Sequence, residues 1–322
     1  MHRILNISNN VETDITPLIG DIQWRSNINE LGDQLDFDIA FNDAKYFPKN
    51  PVDIGNAVCL VNQEEIFRGI VISEQKNGRQ PIHYTCFDYA FYLNKSKAVY
   101  QFNKVSAKKA IEMILNDFKV PIGNIGPLST VIKKIYVNQP VSDIIRDIMD
   151  MEKKETGQTY RMEMRGGKLH IEKQEELLIK ATFKLAENIA PYDVVHSISN
   201  PSRKRSIEEM KNSIGILLND QIIEKLPNNE LISKYGLLQE FVEISNKDRV
   251  QAKNIAKKML EDLGKVFEEN SLEMLGDDQI RAGRTIELEE PITGMKGKYL
   301  VKDVTHTLRN GIHRMALGLG VI

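Results

Sequence analysis

The amino-acid sequence predicts a mainly β protein, in which two related β-barrel domains flank a small α+β domain. Three observations predict it. Short apolar strands alternate with turn signals at a spacing of roughly ten residues, as in all-β barrels and sandwiches. The same pattern returns near the C-terminus. Between the two copies the apolar period lengthens from two to about 3.6 residues, the mark of helices.

The first copy centres on residues 52–102. Asp53-Ile54-Gly55 turns into the strand Ala57-Val58-Cys59-Leu60-Val61, and a polar corner at 62–65 leads into residues 66–72. Asn77-Gly78 is predicted as a two-residue turn, since both residues tolerate positive φ, before a strand over 82–87. A shift of 228 positions carries Gly55 onto Gly283, Val58 onto Ile286, Leu60 onto Leu288 and Gly69 onto Gly297. After five extra residues Asn77-Gly78 falls on Asn310-Gly311, and Ile82, Tyr84 and Cys86 fall on Met315, Leu317 and Leu319. Gly55, Gly69, Asn77, Gly78, Gly283, Gly297, Asn310 and Gly311 are thus expected to be the structural turns of a repeated barrel.

The remaining elements follow in chain order. Residues 4–7 and 21–24 open the first barrel, with Trp24, the only tryptophan, read as a core side chain. Leu35, Phe37, Ile39 and Phe41 alternate with polar residues, giving a strand with one wet face. From Val105 the stripe Ala107, Ala110, Ile111, Ile114, Leu115 and Phe118 predicts a helix capped by Ser106 and stopped by Pro121 and Gly123. A second helix carries Val141, Ile144, Ile145, Ile148 and Met149 on one face, and residues 159–165 and 168–173 form a hairpin about Gly166-Gly167. Met149, Met151, Met162 and Met164 read as core filler. The second barrel is expected to begin at Ala181-Thr182-Phe183, with strands over 194–199 and 212–218. Arg203, Lys204 and Arg205 are read as a solvated loop, because Glu208-Glu209 offset their charge and no aromatic interleaves them. Ser245 is expected to cap a long helix at about 246–264, with Asp248 at its third position. The domain boundaries are therefore 1–103, 104–178 and 179–322. Each insertion helix has only one apolar stripe, so its other face is expected to stay wet.

Composition narrows the function classes. A hydrophobic content of 41% with 27% charged residues is that of an ordinary globular chain, and 322 residues suffice for two or three cores. A formal net charge of −2 argues against a nucleic-acid-binding barrel, which needs a continuous basic face. Two cysteines, Cys59 and Cys86, rule out a disulfide framework and fit a reducing compartment. No apolar run approaches the ~20 residues of a membrane span.

Catalytic patterns are not found. The histidines, at 2, 83, 170, 196, 306 and 313, show no His-x-x-x-His spacing, and no Cys-x-x-Cys, P-loop or Gly-x-Ser-x-Gly occurs. His83 and Cys86 point to opposite faces of one strand. His306 and His313 face each other across the Asn310-Gly311 turn and are read as a satisfied or surface pair. Gly294-Met295-Lys296-Gly297-Lys298 lies between strands, with no helix to supply phosphate-binding amides. No catalytic, metal-binding or cofactor-binding residue is assigned, and no cofactor is expected. The runner-up of another class is a cell-wall or polysaccharide hydrolase on a β-barrel scaffold, because a carboxylate pair brought together by folding leaves no local pattern.

Six short segments stand in order along the chain: Asp53-x-Gly55; Glu65-Ile66-Phe67-Arg68-Gly69; Asp88-Tyr89-x-Phe91-Tyr92-Leu93-Asn94-Lys95-Ser96; Met210-Lys211-Asn212-Ser213; Leu275-Gly276-Asp277 with Gly283; and Val304-Thr305-His306-Thr307 through Asn310-Gly311. In that order they resemble the baseplate hub of contractile phage tails and phage-tail-like bacteriocins, above all the PBSX-type prophage tail proteins related to late control D proteins. The resemblance implies a non-enzymatic homotrimer whose two tail-tube-like barrels per chain present a pseudo-sixfold ring. Such a hub adapts the hexameric tail tube to the threefold central spike. The implied partners are the tail tube protein, the central spike protein, the tape measure protein and baseplate wedge or hub-associated proteins, with no membrane and no sequence-specific nucleic acid. The implied location is the bacterial host cytoplasm during assembly, then the baseplate of a virion or tail-like particle. The hub portion of a secretion-system spike shares this architecture. With a chain ending at Ile322, spike and wall-degrading functions are expected from other chains.

Overall fold

The computed structural model describes residues 1–185 and 197–322. The described chain divides into two compact units, Met1–Pro201 with Ser271–Ile322, and Ser202–Asn270.

The larger unit is built on one sheet. Its first half uses β1 (Arg3–Ser8), β2 (Val11–Asp14), β3 (Ile19–Asn27), β4 (Gln34–Ile39), β5 (Ala57–Val61), β6 (Glu65–Gln75) and β7 (Ile82–Asp88). The later strands are β13 (Leu178–Leu185), β14 (Ser197–Ser206), β18 (Phe267–Leu275), β19 (Thr285–Glu290), β20 (Met295–Arg309) and β21 (Ile312–Val321). Their order is β19-β13-β14-β18-β21-β20-β3-β4-β7-β6-β5-β1-β2, and β19 also pairs with β20. The last six strands thus close on themselves as a barrel. The first seven curl into a half-barrel that ends at β2, all four of whose residues are exposed. Antiparallel pairing of β3 with β20, from Asn27 with Asp303 to Ile22 with Leu308, makes the two halves a single sheet.

Period-2 alternation drives each half. In β4 every second residue is buried, and in β7 Ile82, Tyr84, Cys86 and Asp88 face inward. Ile82, Tyr84 and Cys86 join Ile4, Leu35, Phe37, Val58 and Leu60 in the first core. Phe183, Ile286, Leu288, Val301, Met315, Leu317 and Leu319 fill the second. Trp24 is buried.

The α+β portion holds α1 (Ala90–Lys95), β8 (Lys97–Ser106), α2 (Ala107–Asp117), β9 (Ile122–Ile125), β10 (Val131–Pro140), α3 (Val141–Thr156), β11 (Tyr160–Arg165) and β12 (Lys168–Lys173). Ser106 Oγ accepts the Lys109 N–H, capping α2, and the expected stripe from Ala107 to Leu115 is buried. The hairpin about Gly166-Gly167 forms with φ of +55° and +69°. The boundary expected at 103/104 is crossed by β8, which pairs with β10. Leu31, Ala90, Leu93 and Phe102 belong to the same core as α2 and α3, so this portion starts as the chain leaves β7.

The smaller unit was assigned in sequence to the second barrel. It is a separate body because β15 (Ser213–Leu218) pairs with β16 (Gln221–Pro227) and β17 (Gln239–Glu243), not with the barrel strands. Besides α4 (Asn229–Tyr235) it contains α5 (Ala252–Leu263), whose Ala252 and Ala256 pack on Ile214 and Ile216. The expected helix at about 246–264 is split: a 3-10 turn over Asn246–Gln251 precedes α5. Arg203, Lys204 and Arg205 lie in β14, not in a loop. Arg203 and Arg205 pair with Glu268 at 2.7 and 3.3 Å, and Lys204 pairs with Glu269 at 3.2 Å. Residues 194–196, where a strand was expected to start, and His196 lie outside the described residues.

Candidate functional site

The repeat is seen most directly in hydrogen bonds. Gly55, at φ +84°, donates its N–H to Val71 O (2.9 Å), and Val71 N–H returns to Asn56 O (2.9 Å). Gly283, at φ +86°, donates to Val301 O (2.8 Å), and Val301 N–H returns to Arg284 O (2.9 Å). The meanders β5-β6-β7 and β19-β20-β21 then share one irregularity, a register break between Val71 and Ser73 and between Val301 and Asp303. That break bends both middle strands.

The other predicted turn positions divide. Asn310 and Gly311, at φ +50° and +76°, form a two-residue turn between β20 and β21. Asn77 and Gly78 do not form one. They sit in a six-residue loop at 76–81, where Gln80 N–H reaches Asn77 O, and Pro81, without an N–H, cannot extend the β7 ladder. Gly69 and Gly297 are not equivalent. Gly69 lies inside β6 opposite Val58, where a Cβ would meet Phe87 O at 2.2 Å, whereas Gly297 lies in β20 at φ +110° with open space around it. The shift is 228 at Gly55 but 230 at Val71, which places Tyr299 opposite Ile286 as Gly69 is opposite Val58.

Where the half-barrel, the barrel and the α+β portion meet, charged side chains are buried. Arg284 makes two hydrogen bonds to Glu163, at 2.9 and 2.8 Å. Arg281 donates to Asp33 (2.6 Å), Met164 O and Ile66 O, and Arg161 donates to Ile28 O and Asn27 O. Asp88 accepts the N–H groups of Asp33 (2.7 Å) and Ala90 (2.9 Å). Gly32, at φ +104°, lets the backbone pass this carboxylate, since a Cβ there would meet Asp88 Oδ1 at 2.7 Å. Burial, and then the charge of Asp33, pushes Asp88 up to about 8. Burial also raises Asp33 against the pull of Arg281. Glu163 stays below its usual range: burial opposes this, but the Arg284 hydrogen bonds and charge outweigh it. Chemically this network fastens three parts of one unit together. The sequence carries no local sign of it, because Asp33 and Arg281 are 248 positions apart and Glu163 and Arg284 are 121 apart.

The second cluster gathers histidines around Trp24. The rings of Trp24 and His306 stack at 4.7 Å, 2° from parallel, and His313 lies 4.8 Å from Trp24. His306 Nε2 is 2.9 Å from Ile280 O, and its Nδ1 is 3.0 Å from His313 Nε2. His2 Nε2 is 2.9 Å from Asp278 Oδ1, and Asn62 donates to Asp278 Oδ2 at 2.9 Å. Burial lowers His306 to about 3 and His313 to about 4. Asp278 is also lowered: burial would raise it, but hydrogen bonds from His2 and Asn62 prevail. The approach of His306 to His313 was expected; the arrival of His2 and Asp278 was not. Gly276 is explained here, because the His313 ring occupies the space its Cβ would need, at 2.1 Å. His83 and Cys86 do face opposite ways, and His83 bonds to Asp38 (2.7 Å).

The model of the YqbQ-like family matches residues 22–320. The YqbQ protein of Bacillus subtilis is 27% identical over 258 residues, covering 79% of this chain and 77% of that one. The phage-like element PBSX protein XkdQ of the same bacterium is 23% identical over 259 residues, with the same coverage. The crystal structure of the 43 kDa tail protein of prophage MuSo2 from Shewanella oneidensis has a TM-score of 0.73 at 11% identity, covering 99% of this chain and 98% of that one. The fold is that of phage tail proteins.

Proposed function

The chain belongs to the YqbQ-like family, and from that premise we propose that it is the structural hub of a contractile tail or tail-like particle. In this reading three copies surround the axis and adapt a hexameric tube to a threefold spike. The observation that carries it is the internal repeat. A threefold ring can meet a sixfold partner only if each chain offers two similar surfaces. The matching glycine contacts of Gly55 and Gly283, and the shared register break at Val71 and Val301, are consistent with two such surfaces. The tail-protein fold of the Shewanella prophage protein supports the same reading.

The proposed role is assembly and not catalysis. The buried carboxylates Asp33, Asp88 and Glu163 are engaged by arginines or backbone N–H groups, which suits them to holding parts together. The tube, spike, tape measure and wedge proteins are the proposed partners.

The test is the stoichiometry of the chain in the native particle, by quantitative mass spectrometry and cryo-electron microscopy. Three copies on the axis are expected. Six or twelve copies would point to a tube or peripheral component, and peptidoglycan turnover lost on replacing one buried carboxylate would refute the non-catalytic role.

A further inference from the structure

We propose that His2, Asp278 and His313 form a binding site for a divalent transition-metal ion, with zinc as the natural occupant. His306 Nε2 faces the carbonyl of Ile280, which can only accept, so that nitrogen must carry the proton. His306 Nδ1 and His313 Nε2 are 3.0 Å apart, so with the His306 proton on Nε2 its Nδ1 accepts the N–H of His313 Nε2. With Nε2 engaged there, His313 offers Nδ1, on the other side of its ring, as a ligand atom.

That nitrogen lies near a carboxylate. His313 Nδ1 lies 3.7 Å from Asp278 Oδ1, and His2 Nε2 lies 2.9 Å from the same oxygen. Two acceptors facing each other in a largely buried pocket repel unless a proton or a cation stands between them. The His2, Asp278 and His313 ligand atoms all lie within 4.8 Å of one another, the one such group among the described residues. Tetrahedral zinc, with bonds of about 2.0 Å, places its ligands about 3.3 Å apart, a change that side-chain rotation supplies. His2 would ligate through Nε2 after moving its proton to Nδ1. Two imidazoles and one carboxylate select zinc-class ions over calcium or magnesium, which prefer all-oxygen shells.

The surroundings suit such a site. A metal-bound histidine normally donates its other N–H to a fixed acceptor, and the His313–His306–Ile280 chain supplies one. Asn62 holds the second oxygen of Asp278. Gly276 admits the His313 ring where any side chain would exclude it.

Trp24 gives the experiment its signal, being the only tryptophan and in ring contact with His306 and His313. The full chain, stripped with a chelator, is titrated with Ni2+, Co2+ and Zn2+. One equivalent of Ni2+ is expected to quench Trp24, one equivalent of Co2+ to give tetrahedral visible bands, and Zn2+ to displace both and raise the melting temperature. Asp278→Asn and, separately, His2→Gln are expected to abolish all three signals while keeping the far-ultraviolet circular dichroism of the parent. If Asp278→Asn misfolds, His2→Gln decides alone. Absence of stoichiometric binding to the folded parent chain, or equal binding by folded His2→Gln, would overturn the proposal and leave a proton as the occupant.

Discussion

Gly55 and Gly283 hold the same station in the two meanders, each in the left-handed region and each donating its N–H to a valine carbonyl across the sheet. Neither position tolerates a side chain without strain, since an L-residue at such a φ costs about 1 kcal/mol or more. Their surroundings differ. A Cβ on Gly55 meets open space, whereas one on Gly283 comes within 2.8 Å of Arg161 Nε. Gly55→Ala is therefore expected to cost about 1 kcal/mol, and Gly283→Ala distinctly more, because Arg161 must leave the carbonyls of Asn27 and Ile28. Urea unfolding of both variants checks the ranking; equal losses would contradict it.

Glu163 sits with Arg284 in a side-chain environment only 9% exposed on either partner. Removing one partner of such a pair leaves a buried charge without its match, at roughly 3–5 kcal/mol. Glu163→Ala is expected to fall in that range, and Arg284→Met added to it should recover part of the loss. A double-mutant cycle that finds the two substitutions additive would show that the pair is not coupled.

How far these features were legible depends on how local they are. The β5-β6-β7 and β19-β20-β21 repeat was readable because strand alternation has period two and Asn310-Gly311 has a distinctive turn chemistry. The equivalence of Gly69 with Gly297 misled, since a two-residue slip between strands leaves composition unchanged while moving every partner. The arginine–carboxylate junction left no local trace: Asp33 looks like a turn residue and Arg281 like a solvated one until the fold places them 2.6 Å apart. The separate body at 202–270 was hidden for the same reason. Its β15 pairs in parallel with β17 across an intervening helix, a contact no short window contains.

Stability should fall as the solution is made more alkaline through neutrality. The Asp88 carboxyl is raised from 3.8 to about 8, chiefly by burial, and Asp33 moves in the same direction. Between these values the folded state holds a proton that the unfolded state has released, so the slope of unfolding free energy with pH is negative. The contribution is complete below about pH 4 and is lost as pH rises through 8. Melting temperatures across this range should show a decline that Asp88→Asn flattens. A stability that rises steadily from pH 5 to 8 in the parent, and equally in Asp88→Asn, would refute this assignment.

The two-stranded ribbon β8–β10 offers the clearest surface for assembly. Phe102, Ile132 and Tyr136 face inward onto the helices and are buried. The opposite face shows Val99, Ile135 and Val137, each at least 60% exposed, although β-branched residues there gain nothing from water. Obligate interfaces bury more than about 2,000 Å² and are rich in such side chains. Ile135→Lys with Val137→Glu is therefore expected to leave the fold of the free chain intact and to block incorporation into particles. The wet faces of α2 and α3 should behave oppositely: Lys108, Lys109 and Asp117 are exposed, and substitutions there should be tolerated. Hydrogen exchange on the assembled particle separates the two surfaces. Protection is expected across β8 and β10 beyond that of the free chain, with little change on α2. Unchanged exchange in the ribbon, together with normal incorporation of the charged variant, would remove this face from the interface.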